Sequence, residues 1–514
     1  EGLNSDERLV SPMIKQGREW KRVDWQEALE FTANGLKSVI DEHGASQVGA
    51  LGSPHATVEE LFLLQQLMRG LGSKNVDFRL RQSDFRADGR RAGAPWLGMP
   101  IAGVGELDRL LVVGSFLRKD TPLLAQRVRQ AAKRGLHVSV VGPTSEDWLL
   151  PVKARALVAP SQMVDTLLQV VFALADEKGL DVGDGFANAR PAVISEGARA
   201  VALSLASGRK SAVWLGNLAV QHARAAELTM LAAEIARLAE GVYGVIGEAA
   251  NSVGGYLADA VPHAGGLNAG QMIDEPRRAY VLLNAEPALD FANAAASVRA
   301  LESARLVVAL ASFATPSLLD CADVLLPVSP FTETSGTFVS TEGRVQSFAA
   351  VAKPRGDARP AWKVLRVLGN ILSLAGFEYN DSEAVAAAAL GRDVASRLDN
   401  RVDGILHAAT LPREGLERVA DVPIHFADPL VRQAKSLQRT RDAGAPAVRV
   451  NPETLAALGI AAGERVRVKQ GDVSAELVVI EDPAVAIRCL RVPAAHAATA
   501  ALGAMSGSIS MERV

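Results

Sequence analysis

Residues 333–346 read ETSGTFVSTEGRVQ. Glu333 opens the stretch, Gly336 and Thr337 bring small side chains and a hydroxyl, and Glu342, Gly343, Arg344 and Gln346 follow. Hydroxyl donors, close backbone approach and a guanidinium that forks onto paired oxygens are what an extended polyanionic cofactor requires. The same residues could also form a well-bonded buried loop. Two other loops carry related chemistry: GSPHATVEE (52–60), with Gly52 and Ser53, and GSFLRKDTP (114–122), with Gly114 and Ser115. Each sets Gly-Ser between an apolar run and a helical pattern, where backbone N–H groups at a helix start can bind phosphate. Neither fits GxGxxG or the Walker A pattern, and taken alone such a loop is more often simple turn geometry between strand and helix. No H-x3-H or HExxH spacing occurs among the eight histidines. The two cysteines, Cys321 and Cys489, are too few for a four-cysteine iron–sulfur site and fit a reducing compartment.

These loops need strands and helices to hold them. VDWQEALEFTANGLKSVIDEHG places Asp24 three residues before Glu27 and runs at helical spacing to Gly44. SQVGALGSP reads as a buried strand, and Thr57 with Glu60 forms a capping box that opens the helix TVEELFLLQQLMRGLG. Strand, turn and helix recur in DRLLVVGSFLRKDTPLLAQRVRQAAKRGLHVSVVGP, again from SAVWLGNLAVQHARAAELTMLAAEIARLA, and again with strands near Val281, Val307 and Val324. Such repeats predict an α/β protein with two doubly wound, mostly parallel sheets, whose ligands bind beyond the carboxyl ends of the strands. The pattern weakens over 401–446, which is expected to be a linker. From 447 to 514, short alternating runs divided by Gly-Glu, Gly-Asp and Asp-Pro predict a small C-terminal β-barrel. Three loops have plainer readings. VGPTSEDW is expected as a solvated loop, and KNVDFRLRQSDFRADGRR as a salt-bridged surface segment. GEAANSVGGY is either a ligand-approach loop or a tight turn.

Bulk properties narrow the function. At 514 residues the chain exceeds one core, and its 48% apolar and 22% charged residues are those of a globular protein. A net charge of −3 without a lysine and arginine block excludes a nucleic acid partner. Apolar runs are far shorter than a bilayer span, so no direct membrane insertion is expected. The sequence starts at Glu1 without a methionine, as if something upstream had been removed.

In order along the chain, GSPHATVEE, VDFRLRQSDF, VVGSFLRKDTPLLAQRVRQAAKRG, ADVLLP, ETSGTFVSTEGRVQ and PRGDARPAWKVLRVLG occur. Together they resemble the molybdopterin oxidoreductase superfamily. Within it they resemble the C-terminal region of the large iron–sulfur subunit of NADH-quinone oxidoreductase, respiratory complex I. The resemblance implies a domain order. Residues 1–45 would join missing iron–sulfur domains, 46–82 with 251–400 would form a discontinuous first α/β domain, and 83–250 a second. A dinucleotide-binding-like barrel would follow the linker. Active members hold molybdenum or tungsten with two pterin-guanine dinucleotides, and the position matching their usual protein ligand is Ser83. The family's GSN reads GSF, so that Phe116 would crowd a ligand. Its Asp-Pro-Arg reads Gly142, Pro143, Thr144, and its asparagine before Glu-Gly-Arg is replaced around Ser340 and Thr341.

The resulting expectation is a non-catalytic scaffold with no metal, no cofactor of its own and no pterin dinucleotide. Gly52, Ser53, Gly114, Ser115, Glu333, Gly336, Thr337, Glu342, Gly343, Arg344 and Gln346 would persist as a vestigial cradle, since a Glu333 or Arg344 that is buried needs a partner and would keep the motif in place. By resemblance, iron–sulfur clusters lie in the full-length subunit. The partners are other peripheral-arm subunits and the upstream iron–sulfur domains, and the location is the cytoplasmic side, peripheral to the inner membrane through the complex. Two alternatives compete: an active bis-pterin molybdenum or tungsten oxidoreductase using Ser83, and a nucleotide-binding module without redox chemistry.

Overall fold

Four apolar runs, Val48–Gly52, Ala279–Leu283, Leu306–Ala311 and Val324–Pro327, are buried at every position. A parallel sheet covered on both faces requires such runs. In the computed structural model, which describes residues 1–404 and 415–514, these strands pair in parallel. Val76–Asp77 extends the sheet beyond Val48–Gly52, and the antiparallel strands Met13–Gln16 and Glu19–Arg22 close its other edge, giving seven strands. The strand order reverses between Val48–Gly52 and Ala279–Leu283, the switch point where ligands of such sheets bind. The expected capping box is formed: the Thr57 N–H donates to Glu60 Oε2 at 2.9 Å and the Glu60 N–H to Thr57 Oγ1 at 3.3 Å, opening the helix Val58–Gly70.

This sheet belongs to a unit made of Glu1–Gln82, Ala249–Arg397 and His425–Gly444. Its third piece comes from the stretch expected to be a linker and is anchored by charge. Arg432, at the end of the helical turn Pro429–Arg432, donates to Glu286 Oε1 at 3.1 Å and also pairs with Asp290, while Arg81 reaches Asp290 at 2.9 Å. Burial pushes both carboxyls up. For Asp290 the Arg432 and Arg81 charges outweigh it and hold the group below its ordinary value. The arginine-rich segment after Val76 is buried over residues 77–81, while Ser83, Arg86, Gly89 and Arg90 are exposed. Asp77 and Arg79 are buried and bonded through two contacts of 2.8 Å, because a forked pair can leave water where a single charge cannot.

The second unit comprises Ser83–Glu248, Leu398–Ile424 and Ala445–Val514. Five parallel strands lie in the order Val152–Leu157, His137–Gly142, Arg109–Val113, Ser211–Leu215 and Val242–Val245, with the switch between the third and fourth. The same unit contains a closed six-stranded barrel around Val448, Val450, Val466, Val468 and Leu490. Its strands are Leu416–Val419, Ala447–Val450, Arg465–Gln470, Val473–Glu481, Cys489–Arg491 and Ser508–Arg513. Leu416–Val419 differs from the linker expectation. Its four residues include Glu417 and Arg418, too short and too charged to alternate visibly, yet they pair with Cys489–Arg491 and Ser508–Arg513. One part of that expected linker, 405–414, lies outside the described residues. No helix among the described residues is long and apolar enough to cross a membrane.

Arg432→Ala leaves two buried carboxyls without their main partner. It is expected to destabilise the first unit by about 3–5 kcal/mol in urea unfolding and to expose 425–444 to proteolysis.

Candidate functional site

The ETSGTFVSTEGRVQ stretch forms a β-hairpin, Gly336–Val339 paired with Val345–Phe348, and its two ends have different environments. At the base, Thr337 donates from its N–H at 2.9 Å and its hydroxyl at 2.8 Å to Glu59, and the Val339 N–H donates to the Asn251 side chain at 2.9 Å. Gly336 lies so close to Thr57 that an added Cβ would come within 2.5 Å of its methyl. Glu333 is buried and forked by Arg8 at 3.0 and 2.8 Å. At the tip, Gly343 takes a positive φ of 81°, Glu342 pairs with Arg344 at 3.2 Å, and Arg344 and Gln346 are exposed. Glu333 is thus the buried and partnered charge of the two, while Arg344 is exposed.

In the second unit, Gly114 and Ser115 lie at the switch point, where its crevice is filled by the chain itself. Gly114 has a φ of 58°, and its carbonyl accepts the Ala219 N–H at 3.3 Å; a Cβ on Gly216 would fall 2.3 Å from that of Ser115. Phe116 is buried with Ala159, Val419, Val485, Ala486 and Cys489. The loop after His137–Gly142 is zipped to the barrel segment: the Ala486 N–H donates to Pro143 O at 2.9 Å and the Ser145 N–H to Ala484 O at 2.6 Å. Arg491 lies over the Phe116 ring at 4.4 Å, donates to Glu146 at 2.8 Å and to Asp421 at 2.9 Å. VGPTSEDW is thus tied down rather than solvated, because Arg491 arrives from a strand far along the chain. Burial opposes the Arg491 charge, but Asp421 and Glu146 more than offset it and raise its pKa. Burial, with help from the Asp421 charge, pushes Asp120 up to about 8. A space of about 30 Å³ remains beside Pro143, Leu218, His222 and Arg418, room for about one water. A guanosine does not fit there.

The first unit keeps an open cleft of about 390 Å³ beyond the carboxyl ends of its strands. Ser53 and Asn284 flank its switch point, Thr57 and Glu60 come from the following helix, and Phe313, Ser329, Phe331 and Leu430 complete much of the wall. Gly52 lies one residue before it, packed against Leu61 and Leu64. Among the described residues, none that lines this cleft is lysine or arginine, so it offers a diphosphate no fixed cation. Among the described residues the pterin dinucleotides implied by the resemblance are therefore poorly matched: the space beside Pro143 and His222 is too small for one, and the open cleft has no lysine or arginine on its wall. Ser83, the position of the implied metal ligand, is exposed, while its neighbour Asp84 is buried and structural, accepting the Ala226 N–H at 2.9 Å and pairing with Arg86. No group of three or more His, Cys, Asp or Glu that could hold a metal occurs among the described residues. Both cysteine thiols are buried, and burial pushes each up to about 12. Arg491, Asp421 and Asp120 were not among the residues the sequence singles out. Phe116 in place of the family's asparagine was their one visible signal.

The molybdopterin oxidoreductase profile matches residues 8–371. The NADPH-Fe(3+) oxidoreductase subunit alpha of Geobacter sulfurreducens is 25% identical over 92% of this chain and 64% of its own length. The mitochondrial NADH-ubiquinone oxidoreductase 78 kDa subunit of Candida albicans is 28% identical over 75% of this chain and 47% of its own. The present chain thus spans less than two thirds of these relatives. Among solved structures, acetylene hydratase from Pelobacter acetylenicus shares the fold, with a TM-score of 0.70 at 15% identity, over 99% of this chain and 92% of that one.

Two stability experiments follow from the geometry. Arg491→Ala strands Glu146, Asp421 and Asp120 in a buried site and is expected to cost about 3–5 kcal/mol, whereas Arg344→Ala at the exposed tip should change stability by less than about 0.5 kcal/mol. Glu60 is pushed from 4.5 to about 7, first by burial and then by the Glu59 charge. Between those values the folded protein keeps a proton that the unfolded chain has released, so stability falls as pH rises through the window. Glu60→Gln keeps the cap and removes the charge. Its melting temperature should match the parent's near pH 5 and exceed it at pH 8, a gain of up to about 3 kcal/mol.

Proposed function

The chain belongs to the molybdopterin oxidoreductase family, and from that premise we propose that it is a non-catalytic scaffold region of an NADH:quinone oxidoreductase subunit. The observation that carries this reading is the filled crevice of the second unit, where Phe116, Arg491 and the segment around Val485 take the space a dinucleotide would need. The 78 kDa relative is by its name a subunit of NADH-ubiquinone oxidoreductase, which supports placing this chain in the same kind of assembly. In this reading the chain corresponds to the C-terminal region of the large iron–sulfur subunit. It packs in the peripheral arm, on the cytoplasmic side of the inner membrane, beside its own upstream iron–sulfur domains and neighbouring subunits. Electrons pass from NADH to quinone through clusters held elsewhere, and this chain contributes shape, charge and docking surface.

One observation favours the rival reading of an active molybdenum or tungsten enzyme: the first unit's cleft is open at its switch point. Against it stand the absence of lysine and arginine from the wall of that cleft and the aromatic side chain at Phe116.

The two readings separate in one preparation. The protein, purified from cells that synthesise the pterin cofactor, is analysed for molybdenum and tungsten and for fluorescent pterin released by acid oxidation. The scaffold reading expects neither above background in a folded sample. Near-stoichiometric metal and pterin would overturn it, and loss of that metal in Ser83→Ala would then assign the ligand.

A further inference from the structure

The open cleft of the first unit has chemistry of its own. It occupies about 390 Å³, the size range of small-molecule sites, and lies where the strand order reverses. Three observations mark it as more than a packing gap. The Ser329 hydroxyl lies on its wall, is 3% exposed and has no hydrogen-bond partner in the structure, a state that buried hydroxyls seldom keep without a ligand or water. Asn284, at the end of the central strand, holds a φ of 50°, a left-handed conformation uncommon outside glycine and taken most readily by asparagine, aspartate and histidine. Phe331 lines the cleft yet leaves 52% of its surface exposed, an aromatic side chain without a covering group.

The polar groups decide what would bind. Glu60 and Asp428 are the acidic residues on the wall, and none of the lining residues is lysine or arginine. The backbone donors at the two helix starts on this wall are already used. The Thr57 and Glu60 N–H groups bond within the capping box, and those of Leu430 and Val431 donate to Asp428. A phosphate would meet the carboxyl groups of Glu60 and Asp428, with His55 the one described lining side chain that can carry a positive charge. A flat molecule rich in N–H donors meets acceptors at Glu60, Asn284 and Ser329, with aromatic surface from Phe313, Phe331 and Phe338.

We propose that this cleft binds a planar amino-substituted aromatic molecule without phosphate, an amidine or amino-heterocycle, contacted by the Glu60 carboxyl, the Ser329 hydroxyl and the Phe331 ring. The site is independent of the scaffold role, since it requires no metal, no pterin dinucleotide and no other subunit.

Two matched pairs of probes test it by saturation-transfer NMR and calorimetry on the intact chain at neutral pH. Benzamidine and benzoate share shape and differ in charge, and adenine and AMP differ by the sugar phosphate. Benzamidine and adenine are expected to bind saturably, with benzoate and AMP at least about tenfold weaker. Glu60→Gln, which keeps the cap, should weaken benzamidine by about tenfold, and Ser329→Ala should weaken both bound probes by about threefold to tenfold. The parent melting temperature of Ser329→Ala would show that the fold is intact. No saturable binding of benzamidine and adenine, tighter or equal binding of benzoate and AMP, or unchanged affinity in both variants would overturn the proposal. A chain found without metal and pterin that binds none of the four would leave the scaffold reading standing and remove this one.

Discussion

A guanidinium taken out of water must be met by carboxylates, and in the second unit that requirement fixes Arg491 between Glu146 and Asp421. Glu146 comes from the loop after a sheet strand, Asp421 from the residues just beyond Leu416–Val419, and Arg491 from the end of the barrel strand Cys489–Arg491. Satisfying one charge therefore joins the sheet loops to the barrel. It also sets the guanidinium over Phe116 and brings Val485 and Ala486 against it. The filled crevice is the geometric result of that pairing, and the raised pKa of Asp120 follows from the same crowding.

The first unit uses the same device for a different purpose. Its chain leaves after Gln82, returns at Ala249, and returns again at His425. Forked pairs hold pieces that are distant in sequence: Arg8 on Glu333, Arg432 on Glu286 and Asp290, and Arg81 on Asp290. Buried pairs of this kind add little net stability compared with apolar residues of the same volume, but they penalise any arrangement that leaves one partner alone. A chain assembled from separate segments needs that discrimination.

Sequence periodicity revealed what local chemistry decides. Continuous apolar runs such as VGALG and LVVALA disclosed buried parallel strands, Thr57 with Glu60 disclosed a helix start, and the alternation after Val448 disclosed barrel strands. What stayed hidden depends on partners hundreds of residues away. Leu416–Val419 has no pattern of its own and is a strand only because the barrel supplies neighbours on both sides. Asp77 with Arg79, and Glu146, look like solvated charges until their burial and partners are known. ETSGTFVSTEGRVQ is one run of sequence, but its base is fixed by Glu59 and Asn251 while its tip turns outward, a division that composition alone cannot express.

Both sheets reverse their strand order, and each reversal leaves a gap beyond the strand ends. Such a gap exposes loop backbone and apolar surface and must be filled by ligand, water or chain. In the second unit a single aromatic residue, Phe116, supplies an apolar wall on which the barrel segment packs, and little space is left. In the first unit the corresponding loop carries Ser53, Pro54 and His55, the covering turn Asp428–Val431 lines the gap without filling it, and the volume persists. The wall of that cleft carries no lysine or arginine, and burial draws the Glu60 carboxyl toward neutral pH. The filling of one crevice and the openness of the other thus follow from the side chains at two strand ends.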